Sequence, residues 1–138
     1  MNPALQPSSP HASLRPKDVG RWGEDIALAV LERQGYTLLA RNWRPQRLEG
    51  QSRWSGELDL VMHDSHQNLV FIEVKTRSGV GYGHPLESIT ARKRQMLRQL
   101  AYAWLRENQV THPSMRVDAI ALCGSPLGFT FEHRQGVV

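Results

Sequence analysis

Four side chains in this sequence have the types and spacing for phosphate-ester chemistry: Glu24, Asp59, Glu73 and Lys75. The segment VFIEVKTR (70–77) begins as an apolar run and then turns charged on one side only. In an extended strand Phe71, Glu73 and Lys75 leave by one face, and Val70, Ile72 and Val74 by the other. A preceding strand, ELDLVM (57–62), is joined to it by the turn HDSHQN (63–68). With that turn centred near His66, Met62 faces Val70, Asp59 faces Glu73, and Glu57 faces Lys75. Residues opposed in this way hold their Cβ atoms roughly 4.5–5.5 Å apart. Two ionised carboxylates so placed repel, and a cation between them removes the repulsion. Mg²⁺ or Mn²⁺ fits: a hard divalent ion takes one or two protein carboxylates, fills its shell with water and bridges to phosphate oxygens. Lys75 then orients or deprotonates an attacking water, or stabilises negative charge developing on phosphorus.

Glu24 adds a third acid. It shares a helical stripe with Gly20, Ala27 and Leu31, away from the polar arc of Arg21, Asp25 and Glu32. Trp22, Ile26, Ala29 and Val30 anchor the neighbouring face. A helix packed on the sheet would bring Glu24 to a metal held by Asp59 and Glu73. Each residue alone has an ordinary explanation, since a Glu-x-Lys on a strand is usually a solvated ion pair. The combination points to a metal-dependent phosphodiesterase centre.

The elements that must position these residues follow from local signals. Residues 1–16 combine Pro, Ser, Asn and Gln with few large apolar groups and read as a disordered tail before a single domain, 17–138. A helix is expected from Lys17 to Gln34, capped by Asp18 and ended at Gly35. YTLLARNW reads as extended, and RPQRLEGQSRWSG as a polar loop. After the two strands of the hairpin comes a glycine-rich loop, SGVGYGHP. A second helix starts near Leu86 or Thr90 and runs to Glu107, and the strands RVDAIAL and GFTFEH follow. The order α-β-β-β-α-β-β predicts an α/β fold with a mixed sheet flanked by helices.

Taken together, GRWGEDIALAVLERQGY, GELDLV, VFIEVKTR, HPLESITARKRQML and RVDAIAL resemble the YraN-type endonuclease-like family. More distantly they are similar to archaeal Holliday-junction resolvases and the wider restriction-endonuclease-like group. The resemblance covers residues 17 to 122, and a polar insertion around Leu48–Ser55 departs from it. It implies a restriction-endonuclease-like fold, Mg²⁺- or Mn²⁺-dependent cleavage of structured DNA, and a pattern of helix Glu, strand Asp and Glu-x-Lys. That pattern falls on Glu24, Asp59, Glu73 and Lys75, with Asp59, Glu73 and Glu24 toward the metal.

The 138-residue chain has a formal net charge of +4 and a sequence pI near 9.7, which favours polyanionic partners. Arg92, Lys93, Arg94 and Arg98 cluster at the start of the second helix, with Lys93 heading its core-side stripe and the arginines spread around it, where free backbone N–H groups also favour phosphate. The competing reading is a plain solvated basic face. No apolar run approaches a membrane span, no secretory h-region is visible, and the single cysteine, Cys123, fits a reducing compartment, so a cytoplasmic location is expected. The apolar last strand offers one surface for a homodimer.

Other residues carry weaker signals. His63 and His66 lack a third ligand at zinc spacing, and Cys123 lacks a partner for nucleophilic catalysis. His84 is placed to reach the cleft, and Asp118 reads as a buried hydrogen-bonding group. Trp43, Trp54 and Tyr82 suit base stacking where exposed, Gln99 and Tyr102, one turn apart, suit packing ahead of support for the site, and Trp22 and Trp104 the core. GVGYGHP lacks the Lys and Ser/Thr of a P-loop.

Overall fold

The run Leu69–Ile72 is apolar at every position, as expected of a strand buried on both faces, and it sits in the centre of the sheet. A computed structural model describes residues 15–46, 56–79, 83–111 and 113–138. Its elements are α1 (Pro16–Arg33), β1 (Thr37–Trp43), β2 (Leu58–His63), β3 (Leu69–Arg77), a 3₁₀ turn (Pro85–Ser88), α2 (Ala91–Glu107), β4 (Met115–Ser125) and β5 (Gly128–Arg134). The five strands form one sheet in the order β1-β2-β3-β4-β5. β3 and β4 are parallel and the other neighbours antiparallel. The parallel pair needs a long crossover, which α2 supplies.

The helices cover opposite faces. Leu69 and Phe71 pack with Leu97, Leu100 and Trp104 of α2, whereas Val70 and Ile72 pack with Ala27 and Leu31 of α1. Phe71 and Trp104 meet edge to face, with ring centroids 5.8 Å apart. Fully burying each such side chain stabilises by ~1.5–3 kcal/mol. The expected order of elements and the mixed α/β sheet are therefore observed.

The helix ends show where local signals were right and where they were not. α1 opens at Pro16, one residue earlier than expected, and Arg15 occupies the cap position without a side-chain cap. Asp18 is not the cap. It lies inside the first turn and accepts from Arg15 Nε at 2.9 Å. At the other end Gly35 adopts φ +91°, so that the Tyr36 N–H reaches the Leu31 carbonyl at 3.0 Å. α2 takes the later of its two expected starts: the Thr90 hydroxyl accepts from the Lys93 N–H, and Pro85–Ser88 forms a separate 3₁₀ turn.

The hairpin has the expected register, with Met62 opposite Val70 and Leu60 opposite Ile72. The ladder ends there, one step short of Asp59 and Glu73. Just beyond it the alternation in β2 breaks. Leu58 packs on the α2 side and Leu60 on the α1 side, although two residues should share a face. Asp59 stands at this break. On β1, whose Arg41 pairs with Leu60 and Trp43 with Leu58, Asn42 adopts φ +50°.

At the other end of the α1 face, Arg116 bonds to Asp64, Asp118 and the Tyr36 hydroxyl, and Asp118 also accepts from His133 and the Gly136 N–H. Asp118 is thus the buried hydrogen-bonding group that its apolar strand suggested. Residues 1–14 of the expected tail, the Leu48–Ser55 insertion with Trp54, and Tyr82 lie outside the described residues.

Candidate metal centre and basic face

The centre forms where β2 and β3 stop pairing. Asp59, 8% exposed, inserts its carboxylate between the strands and accepts the Val74 N–H at 2.8 Å. Burial, and next the Glu73 carboxylate, push Asp59 up to about 8 against the opposing pull of that N–H; Glu24 and Glu57 add to the rise.

Glu24 reaches the same place from α1. A close helix–sheet approach puts it there: a Cβ on Gly23 would overlap the Thr76 hydroxyl of β3. Oxygens of Glu24, Glu57 and Asp59 lie within 4.8 Å of one another. One amide gathers two of them, since Asn42 Nδ2 donates to Glu24 Oε1 at 2.7 Å and to Glu57 Oε1 at 3.2 Å. Arg41 Nε stands 3.5 Å from Glu24, and Arg44 3.2 Å from Glu57.

Glu73 lies outside that trio and is held from the α2 side. Lys75 Nζ and Lys93 Nζ are each 3.3 Å from its Oε1. Its Oε2 is buried and has no hydrogen-bond partner among the described residues. A buried acceptor without a partner costs ~1–3 kcal/mol, and more when charged. The donor set fits a hard divalent cation: it is all oxygen, three carboxylates cluster, and a fourth has an oxygen without a partner among the described residues. Beside Glu24 a cavity of about 280 Å³ runs between the start of α1 and the end of β3, lined by Val19, Gly20, Val74, Thr76 and Arg77 among others.

Of the four basic residues singled out on α2, Arg92, Arg94 and Arg98 are exposed, and Arg94 and Arg98 border a second cavity of about 390 Å³. Lys93 is different, being turned inward to Glu73. Gln99 and Tyr102 are exposed instead of packed, so they lie on the same outer surface as the arginines.

The model of the Uncharacterised protein family UPF0102 matches residues 23–122. The chain belongs to the UPF0102 family. It is similar to the UPF0102 protein of Acidothermus cellulolyticus, 52% identical over 100 residues, covering 72% of this chain and 66% of that relative. It is also similar to the UPF0102 proteins of Bifidobacterium longum subsp. infantis, 41% identical over 126 residues (88% of this chain, 95% of the relative), and of Arthrobacter sp. strain FB24, 40% identical over 126 residues (90% and 99%). The UPF0102 match spans Glu24, Asp59, Glu73, Lys75 and Lys93 and leaves β5 outside.

Within this UPF0102 chain the sequence reading missed two members of the centre. Glu57 was expected to face Lys75, but it joins Glu24 and Asp59. A signal for it existed, because Glu57 and Asp59 form an acid-x-acid pair. Asn42 carried none, since its role depends on a left-handed backbone and on two acids from other elements. His84, expected near the cleft, bonds instead to Glu132 of β5 at 2.6 Å. His63 and His66 join no ligand cluster among the described residues. Trp104 is core as expected, and Trp22 is half-buried, packed on the core and meeting Phe129 edge to face. No helix among the described residues is long and apolar enough to cross a membrane.

Proposed function

We propose that this UPF0102 chain is a Mg²⁺- or Mn²⁺-dependent nuclease with a restriction-endonuclease-like fold, similar to archaeal Holliday-junction resolvases, that hydrolyses phosphodiester bonds in structured DNA. The observation that carries the reading is Glu73: a buried carboxylate with two lysines on one oxygen and none of its hydrogen-bonding needs met on the other. Asp59 and Glu73 hold the ion, and Glu24 completes its shell, with Glu57 beside it. The ion supplies charge neutralisation at the phosphate and a water of lowered pKa. Lys75 orients the attacking water or steadies charge developing on phosphorus. The exposed Arg92, Arg94 and Arg98 hold the DNA backbone, an interaction driven by counterion release. A cytoplasmic location accords with this substrate.

The test is Mn²⁺ calorimetry on the wild type and on the double variant Asp59→Ala, Glu73→Ala, followed by cleavage assays on duplex, flap and four-way-junction DNA. Metal binding and metal-dependent cutting by the wild type, both lost in the double variant, support the reading. Absence of Mn²⁺ binding by the wild type, with and without DNA, ends it.

One observation favours a second reading. Glu24, Glu57 and Glu73 each already have a cationic neighbour, in Arg41, Arg44 and the two lysines. A centre neutralised from within suits a nucleic-acid-binding module that keeps the scaffold without turnover. That reading predicts salt-sensitive DNA binding that survives Asp59→Ala.

A further inference from the structure

The two lysines at Glu73 are not equivalent. Lys75 follows Glu73 by two residues on β3 and would lie beside it in any strand with this sequence. Lys93 comes from another element, in the first turn of α2, where its backbone N–H is held by Thr90. Its side chain could extend into solvent with Arg92 and Arg94, yet it is turned in to Glu73, 26% exposed against 4% for the Glu73 side chain. Neutralising one buried carboxylate takes one ammonium, and here two converge on Oε1 while Oε2 has no partner among the described residues. The second positive charge exceeds what Glu73 alone requires. It fits the excess of acid nearby, since the Glu73 carboxylate adjoins Asp59 closely enough to oppose its ionisation.

We propose that Lys93 is a placeholder cation: in the metal-free protein it supplies, beside Glu73, positive charge that a divalent ion supplies in the loaded protein. The inference rests on the metal-dependent reading above and assigns Lys93 a role apart from the DNA-gripping arginines. Lys93 is then a positioning residue. It keeps Glu73 paired and fixed relative to α2 while the ion is absent, and it competes with the ion when it arrives. Intrinsic metal affinity is held down by the protein's own charge, and removing that charge tightens metal binding. A residue serving only to stabilise the fold would have no such effect.

The experiment is Mn²⁺ calorimetry on DNA-free wild type, Lys93→Met, Lys93→Gln and Lys93→Arg, with thermal melts to confirm that each is folded. Removing one ammonium a few ångströms from the ion is expected to tighten Mn²⁺ binding about tenfold in Lys93→Met and Lys93→Gln, given an effective dielectric near 20 and partial screening. Lys93→Arg, which keeps the charge, is expected to bind as the wild type does. Unchanged or weaker Mn²⁺ binding in both neutral variants overturns the placeholder role and leaves the metal-dependent reading standing. If neither the wild type nor any variant binds Mn²⁺, with DNA added or without it, both fall together. If only the neutral variants bind, the placeholder role is supported in its strongest form. Should Lys93→Met fail to fold, Lys93→Gln, which retains hydrogen-bonding capacity toward Glu73, decides the matter alone.

Discussion

The Asp59 carboxylate accepts the backbone N–H of Val74 at 2.8 Å, a bond that a neighbouring strand's carbonyl would ordinarily make. A side chain thus takes over where the ladder stops. Because the bond runs to backbone, Asp59 is held by the geometry of β3 whatever side chain occupies position 74.

Burial and the Glu73 carboxylate, acting against that bond, give Asp59 an unusual pH dependence. Its carboxyl is raised to about 8, from an unfolded value near 3.9. A group raised in the folded state contributes stability that is fully present below its unfolded pKa and lost as pH rises through the folded value. The metal-free protein is therefore expected to lose stability between about pH 4 and pH 8 on account of this group. Asp59→Asn keeps an oxygen for the Val74 N–H and carries no charge. It is expected to flatten that part of the profile and to be the more stable form at pH 8.5, by roughly 2–5 kcal/mol in urea denaturation.

Asp64 behaves in the opposite sense. Burial alone would raise it, but Arg116, the Asn68 side chain and the N–H groups of Asn68 and His66 outweigh burial and hold it far below the usual carboxylate range. Stability from this group is present above the unfolded pKa near 4 and is lost as pH falls below it. Arg116→Met removes the cation shared by Asp64 and Asp118 and is expected to cost about 3–5 kcal/mol at pH 7, with a smaller penalty at pH 3. Denaturation at the two pH values checks the sign.

The fit of α1 on the sheet predicts a coupled pair. Gly23→Ala forces a Cβ against the Thr76 hydroxyl and is expected to destabilise by about 1–3 kcal/mol. The Thr76 hydroxyl is buried and makes no hydrogen bond among the described residues, so Thr76→Ala loses little polar energy and opens space. The double variant is expected to recover about 1 kcal/mol or more of the sum of the single costs. Additive costs would show that the helix shifts instead.

For the basic face, Arg94→Ala with Arg98→Ala is expected to weaken DNA binding at every sequence. The slope of log K against log salt should shrink by about 0.9 for each phosphate that the variant no longer neutralises. An unchanged slope would place the DNA elsewhere.

The limits of β3 were legible because an apolar run there lies between Asn68 and Ser78-Gly79, strong turn signals on both sides. The hairpin register was legible for a related reason. Its turn is closed by Asp64, which accepts the N–H groups of His66 and Asn68, a local motif set by residue type. Glu24 could be placed because helical periodicity puts it beside Ala27 and Leu31, the residues that meet the sheet. What escaped depended on contacts between distant segments. Alternation extrapolates correctly to Leu60 and then fails, because the break at Asp59 accompanies a turn of backbone at Asn42 on another strand. For the same reason alternation sets Glu57 opposite Lys75, away from its place beside Glu24 and Asp59. Helical spacing sets Lys93 at the head of the core-side stripe of α2, and so turned inward, but nothing local names Glu73 as the group it meets.

The parallel pairing of β3 with β4 bears on the order in which these groups meet during folding. The β2–β3 hairpin closes over a short turn, but α2 and β4 join it only through a long crossover, and non-local pairing of this kind is slow. The hairpin is accordingly expected to pair before α2 docks, so that Lys93 reaches Glu73 late. Lys93→Met is then expected to speed unfolding more than it slows refolding, a partition that folding and unfolding rates measured across denaturant would show.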